Sequence, residues 1–333
     1  MSKRKIAKSV LDLVAVNEGD THLKAMENSL SLAQHVEKLG FKRFWISEHH
    51  NTASLVSSAT PILLGYIAQG TERIRVGSGG VMLPNHTPLI VAEQFGTLAT
   101  LYPDRIDLGL GRAPGTDQLT AQALRRQRKE SVHDFPRDVI ELQHYFQPIE
   151  PDNVPPVRAI PGEGLRVPIY LLGSSLFSAN LAAQLGLPYA FASHFAPTHL
   201  FDALKMYKNE FQSSEQLQKP YVMAAVNVII AETDEEAEYL AGSMKLFILN
   251  IIRNTRNLLQ PPPASIDEVW NSIEKMQVSQ MMYYTFVGSK ETVAKKLRSF
   301  TEATQVDELI IISYIYDHQK RLESFRLLSE IEL

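Results

Sequence analysis

Two spacings of apolar residues alternate along this chain. Short runs that are apolar almost throughout read as strands buried on both faces. They are Ser9–Val16, Arg43–Ser47, Ile74–Gly77, Ile106–Gly109, Pro168–Leu172, Tyr189–Ala192, Tyr221–Ala231 and Glu308–Ser313. Between them, apolar residues recur every three to four positions, the period of a helix with one buried stripe. The expected helices are Thr21–Leu39, Ser58–Gln69, Pro88–Leu101, Pro136–Phe146, the segment from Ser175 to Leu185, Pro197–Ser213, Asp234 to about Leu259, Ile266–Gln277, Ser289–Thr304 and Asp317 onward. Gly40, Gly70 and Gly186 stop three of them, and Pro261-Pro262-Pro263 breaks another.

Eight strands in strict alternation with helices favour a single (β/α)8, TIM-like barrel over residues 1–333, with insertions after strands 4 and 7. A doubly wound open sheet in two domains is the second choice. In a barrel, the chemistry gathers where strands end. Here those ends read Glu48-His49-His50, Gly79-Gly80, Gly111-Arg112, Gly173-Ser174-Ser175 and Ser193-His194. The stretch from Arg73 to Gly115 carries two such ends around one helix. A parallel βαβ unit brings both ends to the same face.

Each cluster has a plain reading beside a functional one. Gly173-Ser174-Ser175, with Ser178 one turn on, opens a helix. The serines either cap it or, with the free N–H groups and the positive helix end, hold an anion that Arg112 also neutralises. Adjacent side chains of Glu48-His49-His50 point alternately, so at most two face one ligand. No HExxH or HxH occurs, and no metal site is expected. The run from Gly109 to Gly115 has GxGxxxG spacing with Pro114 inside it, which does not fit a dinucleotide fingerprint.

Composition narrows the field. The chain has 333 residues, is 44% hydrophobic and 21% charged, and carries a net charge of −4. Neither nucleic acid nor an anionic membrane surface suits that balance. The basic run Arg125-Arg126-Gln127-Arg128-Lys129 reads as a solvated helix face. The absence of cysteine removes disulfides, thiolate catalysis and iron–sulfur clusters. No apolar run reaches the roughly 20 residues of a membrane span, and the N-terminal run is interrupted by Asp12, so a cytoplasmic protein is expected.

The segments WISEHHN (45–51), VGSGGVMLPNH (76–86), VAEQFGTL (91–98), RIDLGLGRAPGTD (105–117) and LLGSSLFSANLAAQLGLPYAFASHF (171–195), with the last strand, carry a resemblance. The sequence looks like the bacterial luciferase-like flavin monooxygenases, particularly the single-chain MsnO8-type class, over nearly its whole length. That resemblance implies a barrel that binds FMN, reduced by a separate flavin reductase. By that resemblance the reduced flavin would react with O2 through a C4a-peroxyflavin and oxygenate a small organic substrate. By the same resemblance His49, following Glu48, matches the catalytic histidine, and Gly79-Gly80 matches a bulge with a cis peptide under the flavin ring. Arg112, Ser174, Ser175 and Ser178 match the phosphate-binding positions, and Gly173 is taken as cofactor-binding from its place at the same helix start. The family's reactive cysteine is replaced by Gly111. A homodimer through the second and third helices is implied as well. A deazaflavin-dependent oxidoreductase on the same barrel and a non-catalytic flavin-binding protein are the alternative readings.

Overall fold

A computed structural model describes residues 5–113, 116–125, 134–152, 154–255 and 257–333. The strands are β1 (Ala7–Asp12), β2 (Arg43–Ile46), β3 (Arg75–Ser78), β4 (Val81–Met82), β5 (Ile106–Gly111), β6 (Ile169–Gly173), β7 (Tyr189–Phe191), β8 (Val222–Ala231), β9 (Thr285–Ser289) and β10 (Glu308–Ile312). The helices are α1 (His22–Lys38), α2 (Thr60–Gln69), α3 (Pro88–Leu101), α4 (Gln118–Arg125), α5 (Phe135–Tyr145), α6 (Leu176–Gln184), α7 (Leu200–Glu210), α8 (Asp234–Ile252), α9 (Ser272–Met281), α10 (Lys290–Thr304) and α11 (His318–Ser329).

Eight strands close a parallel barrel in the order β1-β2-β3-β5-β6-β7-β8-β10, with β10 returning to β1. Closure is explicit in the register, since Ile311 sits opposite both Val10 of β1 and Val226 of β8. The TIM-like expectation holds. Each strand is buried on both faces because alternate side chains serve two cores. Val10, Phe44, Val76 and Leu108 point outward onto helix residues such as Leu32, Leu64 and Phe95. Leu11, Trp45, Tyr170, Met223, Ala225 and Ile310 fill the interior.

The N-terminal end of the barrel is closed by charge. Arg43 is 2% exposed; its Nη1 donates to Asp107 Oδ2 at 2.6 Å and its Nε to Glu308 Oε1 at 2.7 Å. Arg75 Nε reaches the other Asp107 oxygen at 2.9 Å, and Tyr170 OH lies 2.8 Å from Arg43 Nη1. The opposite rim is therefore left for chemistry.

Several elements differ from expectation. The first strand stops at Asp12 because Val14 takes φ 53°, which a strand cannot continue through. Helix α8 ends at Ile252, ahead of the prolines, and Leu259 instead bridges to Asn17. The helix expected at Ile266–Gln277 is a 3-10 turn, Ile266–Glu268, followed by α9, which starts from a capping box formed by Asn271 and Glu274. Strand β9 was not expected. It adds to the outer half of β8, with Val228 opposite Phe286, and only alternate residues are buried. Helix α4 is an additional element of the first insertion. Residues 126–129 of the basic run, and Pro114 and Gly115, lie outside the described residues. Among the described residues no helix is long and apolar enough to cross a membrane.

Candidate active site

The C-terminal rim of the barrel is built from the ends of β2, β3, β5, β6 and β7. Past Ile46, the last residue of β2, successive side chains meet alternate sets of neighbours. Ser47 and His49 turn one way: Ser47 Oγ lies 3.0 Å from His49 Nδ1 and 3.3 Å from Ser57 Oγ. Glu48 and His50 turn the other way and meet His86. Glu48 Oε1 is 2.8 Å from His50 Nε2 and 2.9 Å from His86 Nε2, and Oε2 accepts the Met82 N–H at 3.1 Å. Thus His49 and Glu48, expected as a catalytic pair, serve different faces of the strand end.

Burial opposes ionisation of Glu48, but hydrogen bonds from His50 and His86 outweigh it and hold the carboxyl down at about 2. His49 is pushed down to about 4 by burial, only partly opposed by the Glu48 charge. It is a neutral imidazole near pH 7, with its orientation set by Ser47. His194, at the end of β7, is lowered to about 3 by burial and by His49. Among the described residues its buried Nδ1 has no hydrogen-bond partner, while its backbone carbonyl accepts from Asn227 Nδ2 at 2.7 Å.

Between β3 and β4 the Gly79–Gly80 peptide is cis. The chain here runs against β5 with no room for side chains. A Cβ on Gly109 would lie 2.1 Å from the Ser78 carbonyl oxygen, and one on Gly80 would lie 2.8 Å from the Gly109 oxygen. Ser78 Oγ ties the two strands, accepting the Gly109 N–H at 3.0 Å. Glycine is required for close approach, and it leaves a shelf of bare backbone at the rim.

Arg112 follows β5. Its guanidinium lies 4.3 Å over the ring of Phe177, in the first turn of α6. Among the described residues it makes no ion pair, so its charge is available to an anion. The Ser175 side chain does not cap α6, which leaves first-turn N–H groups without that partner. Ser178 Oγ instead donates to Ser175 O at 2.9 Å and lies 3.2 Å from Tyr189 OH. A Cβ at Gly173 would meet Ser178 Oγ at 2.1 Å. The uncapped start of α6 and the Arg112 guanidinium over Phe177 in its first turn thus lie together, a combination of N–H donors and positive charge that suits an anion. Ser174, next to this turn, is likewise placed at the end of β6.

His86, which meets Glu48 here, is singled out by no local sequence pattern. Its signal is faint: a histidine just after Pro84, lying 38 residues from Glu48 on a separate element. No local spacing links the two.

The luciferase-like monooxygenase family profile matches residues 10–307. The Bacillus subtilis protein YvbT is 51% identical over 97% of this chain and 96% of its own length. An Escherichia coli K12 luciferase-like monooxygenase is 48% identical over 100% and 98%. The crystal structure of apo-MsnO8 superposes with a TM-score of 0.90 at 36% identity, covering 98% of each chain. With the barrel and its rim in view, these matches show that the chain belongs to the luciferase-like monooxygenase family.

Proposed function

We propose that this flavin-dependent monooxygenase binds FMN at the C-terminal rim. A separate reductase supplies the reduced cofactor, and one oxygen atom of O2 is placed on a small organic substrate. The observation that carries the reading is the nearness of a side-chain-free shelf at Gly79–Gly80 to Arg112, which makes no ion pair among the described residues, and to the uncapped start of α6. The shelf suits a flat ring. Arg112, Gly173, Ser174, Ser175 and Ser178 suit the phosphate of the ribityl chain.

FMN when reduced supplies the two electrons that activate O2, the second oxygen leaving as water. The protein contributes position, dryness and proton control. His49, neutral and held by Ser47, is suited to give or take a proton at its Nε2. Glu48 acts at one remove: by accepting the Met82 N–H it joins the strand end that carries His49 to the segment that follows the shelf.

The deciding experiment is a titration of FMN and of riboflavin into the purified protein, followed by flavin fluorescence. Wild type is expected to prefer FMN. Arg112→Ala should erase most of that preference, about a 10- to 100-fold loss for FMN, the worth of one charge-assisted hydrogen-bond pair. Equal weakening of both ligands would overturn the phosphate assignment. Binding of a deazaflavin in preference to FMN would overturn the cofactor. Failure of reduced FMN and O2 to oxygenate any of a panel of substrates would favour a flavin carrier.

Homodimer formation belongs to the same reading. The outer faces of α2 and α3 expose Ile62 (74%), Tyr66 (42%), Ile90 (46%) and Leu101 (63%). Large apolar side chains left exposed on two neighbouring helices are the kind of surface that an interface covers. Sedimentation should give a dimer, and Ile62→Glu with Ile90→Glu should give a monomer; a monomeric wild type would refute it.

A further inference from the structure

Glu48, His50 and His86 form a second cluster beside the proposed flavin shelf, facing away from His49. One ligand atom from each, a carboxylate oxygen and two imidazole nitrogens, lies within 4.8 Å of the others. Glu48 Oε1 is the centre, 2.8 Å from His50 Nε2 and 2.9 Å from His86 Nε2. The Glu48 side chain is 2% exposed, whereas His50 and His86 are 14% and 26% exposed, so the cluster opens to solvent on its imidazole side.

The charge balance of this cluster is unusual. Among the described residues, no lysine or arginine pairs with Glu48; its ion-pair partners are two histidines. A buried carboxylate is costly without a compensating cation, and here no lysine or arginine among the described residues supplies one. The buried carboxylate of the barrel floor shows the contrast, since Asp107 holds two arginines.

The donor set is that of a borderline divalent metal. Two imidazoles and one carboxylate, with a further position left for water, suit zinc-type cations. Zinc bonds of about 2.0–2.2 Å place neighbouring donors roughly 3.3 Å apart. The observed spacings reach that arrangement by small side-chain rotations. The second carboxylate oxygen is already oriented by the Met82 N–H, the kind of outer hydrogen bond that holds a ligating carboxylate in place. Glu48 and His50 come from the segment just past β2, and His86 follows the turn after β4.

We propose that Glu48, His50 and His86 bind one divalent cation of the zinc type. It clips the strand end that carries His49 to the segment after the glycine shelf. Both histidines would present a deprotonated Nε2 and carry their proton on Nδ1.

The test uses flavin-free protein, so its outcome is independent of the FMN reading. Tag-free wild type is stripped with chelator and titrated with zinc chloride at pH 7.5 by calorimetry. Cobalt chloride is then used to report coordination by visible absorption. Expected are one equivalent with Kd below about 10 µM and the intense bands of a four-coordinate cobalt. His86→Ala and Glu48→Gln should each weaken binding by at least about a hundredfold, more than loss of an outer hydrogen bond. Replacing the exposed His22 by alanine should leave the titration unchanged. No saturable binding by wild type, six-coordinate cobalt only, or binding indifferent to His86→Ala would overturn the proposal. Each would make the trio a hydrogen-bonded strut. The wild-type cobalt spectrum decides the matter even where a variant fails to fold.

Discussion

At the scale of single residues, the site depends on atoms that are absent as much as on those present. Gly109 illustrates this. Its φ is negative, so conformational freedom is not the reason for glycine; the Ser78 carbonyl, 2.1 Å from where a Cβ would sit, is. Gly109→Ala would push first against the Ser78 backbone, with Leu172 Cδ1 also close at 2.9 Å. It is expected to cost about 1–3 kcal/mol, as overpacking does, and to displace the Gly79–Gly80 shelf. Urea denaturation measures the first effect and FMN titration the second. A variant of wild-type stability and affinity would show that the shelf is soft. The histidines make the complementary point. Side-chain alternation past the end of β2 separates His49 from Glu48 and His50, and that separation follows from the period of two in the strand that leads into them. What the side chains then meet, Ser47 on one side and His86 on the other, does not.

At the scale of elements, the barrel is fastened at its N-terminal end by a charge network centred on Arg43. Arg43 of β2 joins β5 through Asp107 and β10 through Glu308. Trp45 Nε1 adds a bond to Asp107 at 3.1 Å. Removing the cation would leave two buried carboxylates with fewer partners, Asp107 keeping Arg75 and Glu308 keeping Lys42. Arg43→Ala should therefore destabilise by about 3–5 kcal/mol, the usual penalty for breaking a buried pair from one side. The loss should appear as a lower urea midpoint with FMN affinity per folded molecule unchanged, because the network lies at the other end of the barrel from the rim. A midpoint within error of wild type would show that water replaces the guanidinium. Strand β9 is the contrasting element: it lies outside the closed ring, and its removal from the pattern would leave the barrel order intact.

At the scale of the whole molecule, buried neutral histidines couple stability to pH. His318 is lowered to about 4 and His194 to about 3, each chiefly by burial, against an ordinary value of 6.5. The unfolded chain takes up these protons from about pH 6.5 downward, whereas the folded protein resists until near pH 4. Their contribution is therefore complete above pH 6.5 and is lost as pH falls through that window. Urea midpoints should drop between pH 7.5 and pH 5, a range in which unfolded carboxylates stay mostly ionised. The drop should be smaller in His318→Gln. A midpoint that is flat or rises toward pH 5 would contradict the assignment.

How much of this was legible in the sequence follows from the reach of each interaction. Strand and helix periods, the glycine stops and the closed-barrel alternation are written in neighbouring residues, so the order of barrel strands could be read directly. The same holds for the rim, because a strand's last residues are known once the strand is. Strand β9 escaped because half-buried alternation in a five-residue run is weak beside fully apolar neighbours. The start of α9 escaped although its capping box was visible at Asn271 and Glu274. The meeting of His86 with Glu48 was beyond any local pattern. So was the placing of Arg112 over Phe177, since each pair joins separate elements whose distance depends on how the barrel closes. By itself the sequence determined the kind of scaffold and the rim residues, because periodicity is local. Only the tertiary structure decided which of those residues share a face, a charge or a ligand, because those relations are set by packing across the barrel.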